Sequence, residues 1–578
     1  MCGISGIISN ELINTDYCGK ILYHRGPDNI GDWISEDGKT ALFHNRLTII
    51  DLSEAGNQPM LYSDGNLVIT FNGEIYNYQE LKKELSSKYS LKTESDTEVI
   101  LASFKEWGPD CLNKFIGMFA FAIWNKSKRE LFAATDRFGV KPFNFHLNKS
   151  GFYFASEIKA LHKMGIEKVL NESIWAAYFM KGIYDHSYET FWGGINKLEG
   201  GHYLYYKDGD LSIERWYNPI EIINNIDTRS ESQVEEELLY LLENSVSYRF
   251  VADVPVGICL SGGLDSSMLI ALIRRTKGND FPLQSFTFYT NDQNYDEVKF
   301  VKELANVYKF DDNYCHLDIN EISRESERLS YYMDEPYGGI PTIAMSKVYK
   351  EAHDRGLKVL LDGNGLDEGW VGYDYYFNYD RLESKYYNIQ GSKNACSLTD
   401  YMTEDFKKHV KDYSYIFEKC IEDKLSRLQY RDIRYTKIPR AMRFADRNAM
   451  SYSVEVREPY LDHRIIELGL RQPVNRKLKD GTGKYLVRNL ATRILKNPIS
   501  GLLKRPVQTP QREWLKGGLN KWALDTAFFG IDNCPSHWFK KDDVKILLEN
   551  YKSSDYDNSF FFWQIVNLGL LMKSTVLK

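Results

Sequence analysis

The segment that most restricts the fold is residues 254–267, where Val254-Pro255-Val256-Gly257-Ile258-Cys259-Leu260 runs into Ser261-Gly262-Gly263-Leu264-Asp265-Ser266-Ser267. An apolar β-rich run, a glycine/serine turn and a helical stretch at 266–275 make a strand–turn–helix unit. Beyond it the pattern alternates: β-like at 283–290, helical at 297–308, β-like at 358–361, and mostly helical from Tyr373 onward. Alternating strands and helices predict a parallel sheet covered by helices on both faces. The turn exposes backbone N–H groups at a helix N-terminus, and together these cradle phosphate oxygens. The Lys of the G-x-x-x-x-G-K-S/T pattern is missing, so the turn is not a Walker A loop.

The chain has 578 residues, too many for one compact core. Residues 1–217 read as an α+β domain of layered sheets and helices. Apolar stretches at 2–8, 41–50, 67–71, 118–124 and 151–155 are strand-like, and 78–89 and 97–107 are helical. Residues 218–231 turn polar, with Asn224, Asn225, Asp227, Ser230 and Glu231, and read as a linker to a second domain at 232–578 that opens on a helix at 235–251. Hydrophobic residues at 43% and charged residues at 26% exclude a disordered or low-complexity chain. The longest uncharged run, 558–572, is too short and too polar to span a bilayer, and Phe560-Phe561-Phe562-Trp563 within it reads as helix core. A net charge of -7 removes a chain-wide nucleic-acid footprint. The eight cysteines (Cys2, Cys18, Cys111, Cys259, Cys315, Cys396, Cys420, Cys534) contain no CxxC pair and fit a reducing compartment. Asn10 and Glu11 interrupt any leader-like apolar run, so a soluble cytoplasmic protein without nucleic-acid or membrane partners is expected.

Four N-terminal features suggest chemistry. Cys2 precedes Gly3, and removal of Met1 would leave a thiol and a free α-amine on one residue, the amine serving as local base. Asn72-Gly73 offers an amide and a backbone N–H as oxyanion donors. Asp96 suits an α-ammonium group or, alternatively, a helix N-cap, and Arg46 suits an α-carboxylate. An acid and a base of this kind are what a free amino acid requires.

MCGISGI, His24-Arg25-Gly26-Pro27-Asp28, RLTIID, Gln58-Pro59-Met60, FNGEIYNY, SDTE, residues 136–142 and residues 155–161 resemble the glutaminase domain of class II glutamine amidotransferases, in the order of the asparagine synthetase branch. The resemblance implies an N-terminal-nucleophile fold in which Cys2 attacks the glutamine side-chain amide. It gives Asn72 and Gly73 as the oxyanion hole, and Arg46, Glu74 and Asp96 as glutamine-binding residues. SGGLDSS resembles the loop of ATP pyrophosphatases, which implies ATP binding by Leu260, Ser261, Gly262, Gly263, Asp265, Ser266 and Ser267, with attack at the α-phosphate. Accumulating phosphate charge calls for Mg²⁺, with Asp265 and Asp367 as expected ligands. Asp367 follows a strand and so belongs at the sheet edge where ligands bind.

Asp334-Glu335-Pro336, Asp446-Arg447-Asn448-Ala449-Met450, residues 455–462 and residues 483–488 extend the resemblance to the synthetase domain, with Lys484 expected near the phosphates. Arg457, Glu458 and Asp462 read equally well as structural ion pairs. The resemblance implies a ligase that frees ammonia from glutamine, adenylates a carboxylate and amidates it.

The chain departs from that family at three places, one of them Pro142-Phe143-Asn144-Phe145 in place of the usual Pro-Leu-Tyr-Tyr. The usual Ser-Gly-Glu-Gly-Gly-Asp-Glu is here Asp362-Gly363-Asn364-Gly365-Leu366-Asp367-Glu368, and Glu458 stands where Val is frequent. An Asn amide cannot take a proton from attacking ammonia. Asp362, Gly363 and Asn364 are therefore acceptor-site candidates. L-aspartate is the default acceptor, and another carboxylate such as a uronic acid of surface-polysaccharide synthesis is the rival. A ring-closing relative would need no glutaminase, which argues against it, and a silent scaffold would need neither site. A homodimer is an open expectation.

Overall fold

The computed structural model describes residues 2–13, 19–381, 397–413, 418–496, 508–556 and 558–576. Cys18 and Cys396 lie outside them, and the six described cysteines are free thiols. Among the described residues no helix is long and apolar enough to cross a membrane.

The N-terminal half is built from two six-stranded antiparallel sheets. In the first, Gly3–Ser9 lies between Gly151–Ala155 and Thr40–Arg46. In the second, Leu67–Ile75 pairs with Gly117–Asn125, which pairs with Glu130–Thr135. Alternating apolar residues face one another between the sheets, with Ile4, Leu42, Val68, Ala120, Phe152 and Phe154 in one cluster. Tyr78–Leu85 and Asp96–Trp107 cover the far face of the second sheet through Leu81, Ile100 and Leu101.

Two strands end differently from the expectation. The 41–50 stretch stops at Arg46, because that guanidinium gathers the carbonyls of Ile50, Asp51 and Ser53 into a loop. The 67–71 strand instead continues to Ile75, so Asn72 and Gly73 lie inside it rather than after it. Gly73 makes this continuation possible: it has φ +146, and a Cβ there would lie 2.1 Å from the Met118 carbonyl of the paired strand.

The second half carries the expected parallel sheet, in the order Asp311–His316, Gln284–Tyr289, Val256–Cys259, Val359–Leu361, Glu455–Arg457. Helices Glu231–Arg249 and Leu264–Lys277 cover one face, while Ile340–Asp354 and Ile438–Met450 contribute Tyr349 and Ala449 to the other. The first of these starts at Glu231, earlier than expected, because Ser230 and Gln233 form a capping box.

The C-terminal helices Asn520–Asn533 and Phe560–Val576 join the two halves. Phe561, Phe562 and Trp563 are buried in one cluster with Trp175 and Tyr178 of the N-terminal half, so the aromatic run is core, as read. On that seam Glu172 lies 2.9 Å from His409 Nε2 and 3.0 Å from His537 Nε2.

Candidate active sites

One pocket of the N-terminal half is lined by Cys2, Arg46, Gly73, Glu74, Asp96 and Thr97, so the fold brings the expected N-terminal residues together except Asn72, which is not in the lining and instead meets the Cys2 backbone. Cys2 opens the central strand of the first sheet, and Asn72 lies on the facing sheet. The Cys2 backbone N–H donates to Asn72 Oδ1 at 3.0 Å. That contact turns the amide so that Asn72 Nδ2 is left buried with no hydrogen-bond partner. A buried donor without a partner beside a nucleophile is poised for an oxyanion. Burial pushes the Cys2 thiol above its ordinary value.

Glu74 is buried, with Oε1 3.4 Å from Arg457 Nη2 and Oε2 unpartnered. Burial raises its carboxyl well above the usual range, and nearby Glu455 adds to the effect. Asp96 Oδ2 accepts from Ile75 N at 2.9 Å, and burial lifts its carboxyl to about 6. Asp96 is not the N-cap of its helix; Ser95 is, accepting from Thr97 N. Both terminal nitrogens of Arg46 hold loop carbonyls and Asn57 Oδ1, so this side chain shapes the pocket wall.

In the second half the strand Val256–Cys259 ends in the Leu260–Gly263 turn at the carboxyl edge of the sheet. Gly262 has φ +71, and a Cβ there would sit 2.7 Å from Phe300 Cβ. Ser261, Ser266 and Ser267 rigidify the turn: Ser261 Oγ lies 3.1 Å from Ser266 Oγ, and Ser267 Oγ donates to Gly263 O at 2.7 Å. The helix Leu264–Lys277 starts at Gly263, so its free N–H groups face the turn. Lys484 Nζ lies 2.5 Å from carboxylate oxygens of both Asp265 and Asp367. The two acids therefore converge on one cation position. Two hard oxygen donors around one point suit Mg²⁺ by type.

The acceptor-site candidates are brought together by sheet register. Leu361 pairs with Arg457, and Asp362 N donates to Arg457 O at 2.9 Å. The next residues on the two strands, Asp362 and Glu458, are thereby neighbours. Asn364 Nδ2 donates to both, at 3.2 Å to Asp362 Oδ2 and 3.2 Å to Glu458 Oε1. Glu458 Oε2 is buried without a partner. Burial, then the Asp362 charge, raises the Glu458 carboxyl well above its ordinary value, and burial also raises Asp362. In the sequence Asn364 and Glu458 stand out as two separate departures. Their opposite polarity changes, acid to amide and apolar to acid, were the signal that they touch.

Of the other ambiguous residues, Arg457 pairs with Glu455 and Glu74, and Asp462 with Arg249 at 2.7 Å and Arg464 at 2.9 Å. The sequence also concealed the joint between the sites. Arg25 donates to Asp446 through two nitrogens, at 2.9 and 3.0 Å, and to the Cys2 carbonyl at 3.0 Å. Another cavity, lined by Tyr76, Met118, Val140, Glu458 and Leu461, takes its walls from both halves.

Comparisons with known proteins agree with this layout. The sequence profile described as glutamine amidotransferase domain matches residues 1–217, and that described as asparagine synthase matches 237–573. Asparagine synthetase (glutamine-hydrolyzing) 1 of Bacillus subtilis is 28% identical over 98% of this chain and 95% of its own length. Putative asparagine synthetase (glutamine-hydrolyzing) 2 of Methanocaldococcus jannaschii is 33% identical, covering 68% of this chain and 80% of its own. Amidase chry2 of Gibberella zeae is 29% identical over 65% of this chain and 60% of its own. The chain belongs to the asparagine synthase family, as a glutamine-dependent amidotransferase and carbon–nitrogen ligase of asparagine synthetase type whose synthetase half uses ATP.

Proposed function

We propose that this enzyme transfers the amide nitrogen of glutamine to a carboxylic acid that it first converts to an acyl-adenylate, releasing AMP and pyrophosphate. The observation that carries the reading is the pairing of two complete sites across one buried joint, Arg25–Asp446, whose arginine also holds the Cys2 carbonyl.

In the first site Cys2 Sγ attacks the glutamine side-chain carbonyl carbon, with the freed α-amine as base. The developing oxyanion is met by Asn72 Nδ2 and the Gly73 N–H, while Glu74 and Asp96 hold the α-ammonium. Arg46 keeps the pocket wall in place. Breaking the C–N bond frees ammonia, and water then hydrolyses the thioester to glutamate. Ammonia passes through the cavity lined by Tyr76, Met118 and Val140, which Glu458 also lines.

In the second site the Leu260–Gly263 turn, Ser266 and Ser267 hold the ATP phosphates, and Lys484 moves from its two acids to the phosphate oxygens. Asp265 and Asp367 would hold Mg²⁺, which neutralises phosphate charge. The acceptor carboxylate oxygen attacks the α-phosphorus and pyrophosphate leaves. Ammonia then attacks the acyl carbon and AMP departs with its oxygen's electron pair.

The proton lost by the attacking nitrogen goes to Glu458 Oε2. The carboxylate missing at Asn364 is thus supplied from the neighbouring strand, and Asn364 orients it. The two acids share a buried site that raises both carboxyls, which makes the ionised Glu458 a stronger base than an exposed carboxylate.

L-aspartate is the default acceptor. The Asp362–Asn364–Glu458 group favours the second reading, a uronic acid, because it presents carboxylate oxygens: these repel a second acceptor carboxylate and match sugar hydroxyls. Pyrophosphate release, measured over a panel of aspartate and uronic acids with ¹⁵N-amide glutamine, tests both. Labelled amide from one acid supports the reading. Pyrophosphate release without amide from any acid overturns it.

A further inference from the structure

We propose that a second cavity between the two halves, lined by Lys141, Lys197, Arg434, Arg443 and Arg447, binds a small phosphorylated metabolite. It shares no residue with the glutamine pocket or with the phosphate loop. It does share Arg137, Phe138 and Val140 with the cavity that Glu458 lines, so its occupant would adjoin the proposed ammonia route.

Three observations support this. Seven Lys/Arg and four Asp/Glu side chains line the cavity, an excess of three positive charges. The acids are already engaged: Asp185 with Lys197 and Arg443, both at 2.9 Å, Glu199 with Arg434 at 3.3 Å, Asp446 with Arg25 at 2.9 Å, and Glu335 with Phe191 N at 3.0 Å. The cations keep unused donors: Arg434 Nε, Arg443 Nη1 and Arg447 Nε are buried without a hydrogen-bond partner, while Arg447 Nη1 lies 3.3 Å from Glu157 behind the cavity wall.

Arg443 and Arg447 are 9% and 2% exposed, and Lys141 is 1% exposed. Burying a guanidinium with unfilled donors is unfavourable, and an anion's oxygens would remove that penalty. Arg443 and Arg447 stand four residues apart on the helix Ile438–Met450 and so share a face. Arginine forks match the oxygens of a phosphate group, whose two negative charges meet more of the excess than one carboxylate would. Phe143, Ile433 and Pro439 supply apolar wall for the organic part.

The test is calorimetric titration of the full chain with inorganic phosphate, glycerol 3-phosphate and succinate, with the phosphate loop saturated by a non-hydrolysable ATP analogue. Glycerol 3-phosphate is expected to bind one site in the saturated protein. Arg443→Met and Arg434→Met should each weaken it by about tenfold or more, the loss of one charge-assisted pair. If Arg443→Met fails to fold, Arg434→Met decides alone, since that side chain is 14% exposed and lies at the cavity's edge. No binding at millimolar ligand, binding abolished by the ATP analogue, or binding unchanged in the arginine variants each overturns the proposal. Succinate bound in preference to the phosphate ester would overturn the phosphate assignment.

Discussion

Replacing Glu458 separates its chemistry from its stability in a way a structural carboxylate would not allow. General-base assistance contributes about 10²–10⁴-fold, or roughly 3–5 kcal/mol of barrier. Glu458→Gln and Glu458→Val are therefore expected to lower amide formation by about that factor, while adenylation and glutamine hydrolysis stay near wild type. The effect on stability has the opposite sign. Glu458 Oε2 is a buried oxygen without a partner, a situation that costs about 1–3 kcal/mol, so Glu458→Val should stabilise the fold at pH 8. A carboxyl raised by burial destabilises the folded state as it ionises. The penalty is absent below its ordinary value of 4.5 and grows as pH rises through the raised one, so the gain from Glu458→Val should shrink toward pH 5. Moving the carboxylate back, in Asn364→Glu with Glu458→Val, should recover amidation at least in part. Asn364→Glu alone should not improve it, because it adds a third carboxylate to two buried ones. The assays are pyrophosphate release, amide yield per AMP, and thermal unfolding at pH 5 and pH 8. Wild-type amide yield in both Glu458 variants would refute the base assignment while leaving the amidotransferase reading intact.

Four further outcomes are expected. Cys2→Ala should abolish glutamine-dependent synthesis and leave ammonia-driven synthesis, and equal loss of both in a folded protein would contradict the division of labour. Asp265→Asn and Asp367→Asn should each suppress AMP formation under limiting Mg²⁺ and spare glutamine hydrolysis, measured as glutamate release. Asp96 has its carboxyl raised to about 6, so the KM for glutamine should rise as pH falls through that value and the anion is lost; Asp96→Asn should raise KM and flatten this profile. Asp446→Asn leaves the buried Arg25 guanidinium short of charge, so it should destabilise the fold by about 3–5 kcal/mol and lower amide made per glutamate released, read from denaturant unfolding and product ratios.

The parts legible in the sequence were those whose chemistry sits in contiguous residues. The Ser261–Ser267 turn reads as a phosphate cradle because its glycines, its hydroxyls and the following helix are local. Alternation of strand and helix was enough to give the parallel sheet. Element edges were less legible: Arg46 ended a strand by binding carbonyls further along the chain, and Gly73 extended one by admitting the Met118 carbonyl. Neither event leaves a local pattern.

The sequence by itself determined the two chemistries, since the Cys2, Asn72-Gly73 and SGGLDSS segments carry their reactive groups as types and spacings. The tertiary structure decided how they are joined and where Glu458, the acid proposed for the acceptor site, lies. Asn364 and Glu458 are 94 residues apart, and Arg25 and Asp446 are 421 apart. The first contact follows from the parallel register that sets Leu361 beside Arg457, which puts Asp362 and Glu458 one step beyond, on the same sheet edge. The second follows from the buried seam where the C-terminal helices close on Trp175 and Tyr178. Register and docking depend on how whole surfaces fit, so neither the moved carboxylate nor the cation-lined cavity between the halves could be read from any one stretch of the chain.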